Sequence, residues 1–98
     1  MKIVAVTRLK ARPGKGVGLL VALSGPLEET RSNQDCSSAG LFISADNPQD
    51  VVLLEEWSSR EAQTKHASAL QEDGSLRDVT ELLDAPPDTR YYRALEHE

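Results

Sequence analysis

The spacing of apolar and polar residues along the chain changes several times, and the order of these changes predicts the fold. Alternation at every second residue predicts four strands, at residues 3–11, 36–45, 51–57 and 89–95. Spacing of three and four residues predicts helical segments at residues 14–32, 59–71 and 76–83. With the last two segments read as one interrupted helix, the order is β-α-β-β-α-β. This order is typical of the ferredoxin-like α+β fold, an antiparallel four-stranded sheet with both helices on one face.

Pro26 lies inside the first predicted helix. A proline in a helix has no N–H to donate to the carbonyl four residues earlier, which here belongs to Ala22. We expect the helix to continue through Pro26 with a kink, and a break at this position is the alternative.

Apolar residues occur on both faces of the first predicted strand. Ile3, Ala5 and Leu9 lie on one face, and Val4 and Val6 lie on the other. The helices of this fold cover only one face of the sheet, and an uncovered apolar face marks an interface. We therefore predict a homodimer in which two sheets pack face to face.

Length and charge limit the classes of function. The chain has 98 residues, so we assign residues 1–98 to a single domain. Its net charge is −5, and it lacks the basic stripe that nucleic-acid binding requires. No apolar run approaches the roughly 20 residues that span a membrane, and the N-terminal apolar stretch is too short for a signal peptide. We expect a cytoplasmic protein that binds neither nucleic acid nor a membrane.

The sequence shows no recognisable metal or cofactor motif. Cys36 is the only cysteine, so no internal disulfide and no Cys-based zinc site can form. The two histidines are His66 and His97, the second in a predicted polar tail at residues 96–98. The chain contains no HExxH motif, no Gly-rich phosphate loop and no recognisable Ser-His-Asp arrangement. We expect neither a metal nor a cofactor.

The stretch 51–70, VVLLEEWSSREAQTKHASAL, passes from a predicted strand into a predicted helix and holds the only Trp and one of the two His residues. Several segments together are similar to one family, namely ARPGK at 11–15, Pro26, Cys36, EEWSSREA at 55–62 and His66. On these segments the chain resembles the antibiotic biosynthesis monooxygenase family of dimeric α+β barrel proteins, over roughly residues 2–95. The resemblance implies the ferredoxin-like fold and a dimer, whereas reactions vary within the family.

Members of this family include oxygenases that act on quinols and polyketide phenols without metal or flavin. Trp57 and Arg77 stand where the polyketide-type oxygenases carry the same residues. Leu53 and Gln63 replace an Asn and a Tyr of those enzymes. The resemblance to this branch is therefore partial at the level of the site.

Other members degrade haem, and one is an isomerase linked to a signalling molecule. Haem-degrading members carry an Asn in the first strand and a proximal His, where this chain has Thr7 and Leu76. Both haem features are absent. His66 matches the quinol-oxidising and isomerase-like members instead.

On this basis we predict a site around the strand-to-helix junction. His66 is the candidate general base, because an imidazole suits proton removal from a phenol or enol. Arg77 is the candidate partner of the substrate oxyanion. The predicted substrate-binding residues are Trp57, Glu55, Phe42 and Tyr92.

Each candidate also has a purely structural explanation. Trp57 can be a core residue at a strand end. His66 can be a half-buried helix residue bonded to backbone. Glu55 and Glu56 point to opposite faces of the sheet, and one of them can form a cross-strand salt bridge with Arg8 or Arg93.

The function predicted from the sequence is a cofactor-independent monooxygenase that oxidises a small electron-rich aromatic, a quinol or polyketide phenol, with molecular oxygen. Two alternatives stay open on the same fold. One is an isomerase-type enzyme that transfers protons without oxygen. The other is a non-catalytic dimer that binds a small ligand.

Overall fold

The computed structural model describes residues 2–95, and its elements follow the predicted order. They are β1 (Ile3–Lys10), α1 (Gly16–Arg31), β2 (Cys36–Ile43), β3 (Asp50–Trp57), α2 (Arg60–Glu72), α3 (Arg77–Glu81) and β4 (Asp88–Arg93). The predicted α+β, ferredoxin-like fold is confirmed, with the second helix divided into α2 and α3. The predicted tail at 96–98, with His97, lies outside the described residues.

The four strands form one antiparallel sheet in the order β2-β3-β1-β4. In the central strand β1, Ala5 pairs with Glu55 on one side and with Tyr91 on the other. Paired residues point to the same face of a sheet, so the side chains of Glu55 and Tyr91 flank the small Ala5. This arrangement leaves space above Ala5 for both larger side chains.

The helices cover the sheet face that carries Ala5, and the core beneath them has two parts. The larger cluster of buried residues consists of Leu9, Ala11, Leu19, Leu23, Val51, Val79 and Leu83. The smaller cluster consists of Ala5, Cys36 and Trp57, with Ala39, Ala62 and Tyr91 packed against it. Both clusters exclude water from the helix side of the sheet, which stabilises the fold by removing apolar surface from solvent.

Helix α1 continues through Pro26, so the alternative of a break is excluded. The residue before a proline normally avoids helical geometry, because its Cβ meets the proline ring. Gly25 has no Cβ, and this removes that part of the clash. One turn later, the Thr30 hydroxyl donates to the Pro26 carbonyl at 2.8 Å.

Helix α2 begins with a serine cap. Ser59 has extended backbone geometry, and its hydroxyl accepts a hydrogen bond from the Ala62 amide at 3.1 Å. Glu61 adds a negative charge in the first turn, where the helix dipole favours it. Ser58 donates to Asp35 Oδ1 at 3.0 Å, which ties the start of α2 to the α1–β2 loop. The junction therefore fixes the direction in which α2 crosses the sheet.

The other face of the sheet is not covered by any described element. Phe42, Leu54 and Tyr92 are exposed there by 57%, 38% and 53%. Glu56 also lies on this face, and its carboxylate pairs with Lys2 at 3.2 Å. This corrects the predicted partners, Arg8 and Arg93. No described helix is long and apolar enough to cross a membrane.

Candidate functional site

A cavity of about 700 Å³ lies between the helix side of the sheet and the three helices. Its apolar wall residues are Leu23, Pro26, Leu27, Leu41, Leu53, Ala67, Leu70, Leu76, Leu83, Ala85, Pro86 and Pro87. Its polar wall residues are Thr7, Thr30, Glu55, Gln63, His66, Gln71, Thr80, Asp84 and Thr89. This volume and this mainly apolar lining are typical of small-molecule sites.

Three polar side chains converge at one end of the cavity. Glu55 reaches it from β3, and Gln63 and His66 reach it from α2. Gln63 and His66 are three positions apart, so they lie on the same face of the helix. The alternation of β3 turns Glu55 toward this helix face, whereas Glu56 faces away.

Glu55 is a buried carboxylate, with 5% of its surface exposed. Its Oε1 atom accepts a hydrogen bond from Trp57 Nε1 at 2.9 Å. Burial raises the pKa of Glu55, and hydrogen bonds from Trp57 and Gln63 together with the nearby His66 only partly oppose this rise. A carboxylate whose charged form is poorly solvated is a stronger base than one in water.

A chain of polar contacts extends from Glu55 to the edge of the sheet. The Tyr91 hydroxyl donates to Gln63 Oε1 at 2.7 Å. The amide nitrogen of Gln63 is left for Glu55, whose pKa it lowers against the larger rise caused by burial. The Arg60 guanidinium lies 4.1 Å from the centre of the Tyr91 ring, a cation–π contact. These contacts hold Gln63 in one orientation beside Glu55.

His66 has a hydrogen-bond partner at each ring nitrogen. Nε2 lies 2.9 Å from the Thr30 hydroxyl, whose proton is already donated to Pro26, so Nε2–H is the donor. Nδ1 lies 3.4 Å from Asn33 Nδ2 and accepts from it. Asn33 Oδ1 accepts the Asp35 amide proton at 2.9 Å, which fixes the orientation of the Asn33 side chain. The partners of His66 are therefore side chains, and neither ring nitrogen is free.

Trp57 is fully buried and is not part of the cavity wall. Its ring centre lies 5.3 Å from that of His66, with the planes tilted by 43°. The indole thus packs behind the polar end of the cavity and contacts two of its residues, Glu55 and His66. Trp57 is therefore a core residue at a strand end, as its structural explanation predicts, and it also donates a hydrogen bond to Glu55.

The other three predicted site residues lie away from the cavity wall. Phe42 and Tyr92 pair with Val52 and Val4, on the outer face of the sheet. The period of two in each strand gives this result, because Phe42 and Tyr92 follow directly after residues that face the helices. Phe42 and Tyr92, predicted to bind substrate, therefore do not share the cavity with Glu55.

Arg77 is exposed at the start of α3 and does not line the cavity. Leu76 and Thr80 are four positions apart and face the cavity. Arg77 is rotated by one residue of the helix, about 100°, from Leu76. The structure therefore does not bring Arg77 together with Glu55 and His66.

Sequence spacing reveals only part of this site. Gln63 lies four residues after the cap Ser59 and three residues before His66. This helical spacing is a signal that could have identified Gln63 as a site residue. Thr30 and Asn33 reach His66 across 36 and 33 positions of the chain. Such contacts leave no local pattern, because they depend on how α1 and α2 pack together.

Cys36 lies next to the site, with its thiol donating to the Ser38 carbonyl at 3.2 Å. Burial raises the pKa of the Cys36 thiol, and the negative charge of Glu55 raises it further. Such a thiol stays protonated and is a poor nucleophile. Within residues 2–95, no three or more His, Cys, Asp or Glu side chains form a group that could hold a metal ion.

Comparison with known proteins identifies one family by sequence and several solved structures by fold. The sequence profile described as "Antibiotic biosynthesis monooxygenase" matches residues 2–72. Among solved structures, Rv0793 from Mycobacterium tuberculosis is 27% identical, covers 99% of this chain and 98% of its own, and has a TM-score of 0.83. SO0527 from Shewanella oneidensis is 26% identical, covers 93% and 88%, and has a TM-score of 0.80.

A third structure, of an antibiotic biosynthesis monooxygenase, is 18% identical, covers 96% of this chain and 99% of its own, and has a TM-score of 0.83. At this identity the likeness concerns the fold alone. No curated protein matches the sequence significantly.

Proposed function

The chain belongs to the antibiotic biosynthesis monooxygenase family, and we propose that it is a monooxygenase that oxidises a small electron-rich aromatic, a quinol or polyketide-type phenol, with molecular oxygen. One observation carries this proposal. Glu55 is a buried carboxylate on the wall of a large and mainly apolar cavity. A base in such a place can remove a proton from a bound ring while water is excluded.

The proposed reaction begins with proton transfer to Glu55. The carboxylate takes the proton of a ring hydroxyl or of an acidic ring CH₂, which leaves an electron-rich aromatic anion. This anion reduces oxygen directly. Where the ring carries a CH₂, this group becomes a carbonyl, one oxygen atom enters the product, and the other leaves as water with the two hydrogens. Where the substrate is a quinol, a ring C–H becomes C–OH, and the two hydroxyl hydrogens leave with the second oxygen atom as water, which gives a hydroxyquinone. The electrons come from the substrate, so the proposal needs neither a metal nor a flavin.

We assign the base to Glu55, in place of His66, on the hydrogen bonds of the two residues. Both ring nitrogens of His66 have side-chain partners. A substrate proton could reach Nδ1 only after the contact with Asn33 is lost. The Glu55 carboxylate keeps lone pairs for a ligand, and its raised pKa favours proton capture. His66 then acts as a fixed part of the wall, and Arg77 has no role in the proposal.

We propose further that the protein is a homodimer through the outer face of the sheet. Phe42, Leu54 and Tyr92 expose large apolar surfaces there. Exposed apolar patches of this kind are typical of protein interfaces. The cavity lies on the opposite side of the sheet, so each subunit has a site of its own under this proposal.

The proposal is tested by oxygen uptake with a panel of quinols, naphthols and anthrones. We expect uptake with at least one of them and one atom of labelled oxygen in the product. Glu55→Gln keeps the shape of the side chain but removes the base, and it should lower the rate by about two to four orders of magnitude. Glu56→Gln, one residue away on the other face, is the matched control and should retain the rate.

Three kinds of result would contradict the monooxygenase or favour one of the two alternatives. No uptake with any member of the panel, or full activity in Glu55→Gln, contradicts the monooxygenase. Product formation without oxygen indicates the isomerase-type alternative. A ligand that raises the melting temperature but is recovered unchanged indicates the binding dimer, since preferential binding to the native state stabilises it.

A further inference from the structure

The charges on the cavity wall are unbalanced. Its ionisable residues are Glu55, His66 and Asp84. The chain has 11 Lys and Arg residues, yet none of those described lines the cavity. An anionic ligand would meet the buried carboxylate of Glu55 inside a largely apolar space and the exposed carboxylate of Asp84 at its rim, with no lysine or arginine on the wall as counter-charge. Transfer of an anion from water to such a space is strongly unfavourable, because a buried charge requires a partner of opposite sign.

A hydroxyl pair offers a hydrogen bond to a neutral ligand in the same cavity. Thr7 Oγ1 and Thr89 Oγ1 lie 2.9 Å apart on neighbouring strands, and both residues line the wall. The pair has two hydroxyl protons, and one of them forms the bond between the two oxygens. The second proton has no partner within the described part of the chain. It is available for an acceptor atom in the cavity.

The distance between this pair and Glu55 suits a flat ligand. Thr7 pairs with Leu53 in the sheet, and Glu55 is two residues farther along the same face of β3. The Cα atoms of diagonal positions of this kind are separated by about 7–8 Å, and both side chains point to the same face of the sheet. A fused aromatic ring system with an oxygen on each side can span them.

We propose that the cavity selects an uncharged aromatic ligand with two oxygen functions and rejects its anionic analogues. One oxygen function donates its proton to Glu55. The other accepts a hydrogen bond from the Thr7–Thr89 pair. This inference rests on the proposed function for the identity of the ring, but it concerns binding and requires no turnover.

Calorimetric titration without oxygen tests the charge selection, with 1,4-dihydroxynaphthalene as the neutral probe. The anionic probe is 1,4-dihydroxy-2-naphthoic acid at a pH where it is ionised, and its methyl ester is the neutral control of similar size. We expect the ester to bind and the acid to bind at least about tenfold more weakly, as a buried unpaired charge predicts. Glu55→Gln should reduce the difference in affinity between the ester and the acid, whereas Glu56→Gln should leave this difference unchanged.

The hydroxyl pair is tested with 1-naphthol, which lacks the second oxygen. Wild type should prefer 1,4-dihydroxynaphthalene by about three- to tenfold, the contribution of one hydrogen bond. Thr7→Val/Thr89→Val removes both hydroxyls at similar volume and should bind the two ligands equally. Thr7→Ser/Thr89→Ser keeps both hydroxyls and should keep the preference.

The inference is overturned if the acid binds as tightly as its ester, if the valine variant keeps the preference, or if neither neutral probe binds. These results differ from those that test the reaction. Selective binding without oxygen uptake would contradict only the monooxygenase. Oxygen uptake with the ionised acid as a good substrate would contradict only the charge selection.

Discussion

The carboxylate of Glu55 accepts a hydrogen bond from the indole nitrogen of Trp57 at 2.9 Å, from two positions along the same strand. Strand alternation turns both side chains toward the helices. Trp57 is fully enclosed, whereas Glu55 reaches the cavity wall. The indole therefore fixes the carboxylate from behind and stabilises its negative charge, while leaving its remaining lone pairs toward the cavity.

Replacing Trp57 with Phe should change the titration of Glu55. Phe keeps an aromatic ring but lacks the N–H donor, so the pKa of Glu55, already raised by burial, should rise further. The carboxyl carbon of Glu55 in wild type and Trp57→Phe reports this pKa directly by NMR. We also expect a stability loss of about 1–3 kcal/mol, because a buried acceptor loses its partner and the smaller ring leaves space. A lower or unchanged pKa of Glu55 would contradict the role assigned to the indole.

The stability of the protein should depend on pH through Glu55. Burial raises the pKa of Glu55 in the folded state above the ordinary value of 4.5, so the native protein retains a proton that the unfolded chain has lost. The stabilisation that this proton provides is fully present below pH 4.5, and it is lost as the pH rises through the folded-state pKa of Glu55. Glu55→Gln lacks it, so the variant should become more stable relative to wild type as the pH rises. Denaturant unfolding from acid to neutral pH measures this difference.

Glu56→Gln should show the opposite dependence on pH. Hydrogen bonds from Ser37 and Lys2 lower the pKa of Glu56 below its ordinary value. The stabilisation they provide is present above the unfolded-state pKa and is lost as the pH falls through the folded-state pKa. The variant should therefore be less stable than wild type near neutral pH and equal to it in acid. Parallel curves for the two glutamine variants would contradict the assignment of the two carboxylates to different environments.

The fold could be predicted because each strand and helix has a sequence pattern formed by residues that are close together in the chain. The period of two around Trp57, the serine cap at Ser59 and the helical spacing through His66 each involve only neighbouring residues. The continuation of helix α1 through Pro26 could also be predicted, and the structure confirms it. These features follow from backbone geometry, which the sequence determines over short distances.

The site could be predicted only in part, because its contacts join distant segments. Alternation separates Glu55 from Glu56, but only the packing of the helices decides which of them is buried. His66 suited the role of base by its chemistry, and the contacts with Thr30 and Asn33 that occupy it arise from the packing of α2 beside α1. Arg77 is a candidate by resemblance alone, and its position one residue after Leu76 on the helix places it outside the cavity.

Gly16→Ala and Gly18→Ala should have opposite effects on stability, although both lie in α1. A Cβ at Gly16 would overlap the carbonyl oxygen of Pro48 in the β2–β3 loop, so the loop would have to move. At Gly18 the nearest atom is a Leu82 methyl at 3.9 Å, an ordinary contact. Alanine favours helix over glycine by about 1 kcal/mol, so Gly18→Ala should stabilise the protein by up to that amount. Gly16→Ala should destabilise it, and thermal melting compares the two. A stabilised Gly16→Ala would show that the loop does not pack closely on the helix.

The proposed dimer predicts that charges on the outer face of the sheet separate the subunits. Phe42 lies on the edge strand β2, and Tyr92 lies on the opposite edge strand β4, with Leu54 between them on β3. Val52, Val6 and Val4 lie between them on the same face, so apolar side chains run diagonally across the sheet as one apolar band. Burying two lysines in a sheet-to-sheet interface would leave charges without partners. Phe42→Lys/Tyr92→Lys should therefore sediment as a monomer at concentrations where wild type is a dimer.

The matched control for this prediction lies on the other side of the molecule. Val17 and Val21 are also exposed apolar residues, but they lie on α1, away from the outer face. Val17→Lys/Val21→Lys adds the same charge and should sediment as wild type does. If both variants dissociate, net charge and not the outer face controls association. If wild type itself sediments as a monomer, the proposed dimer is wrong.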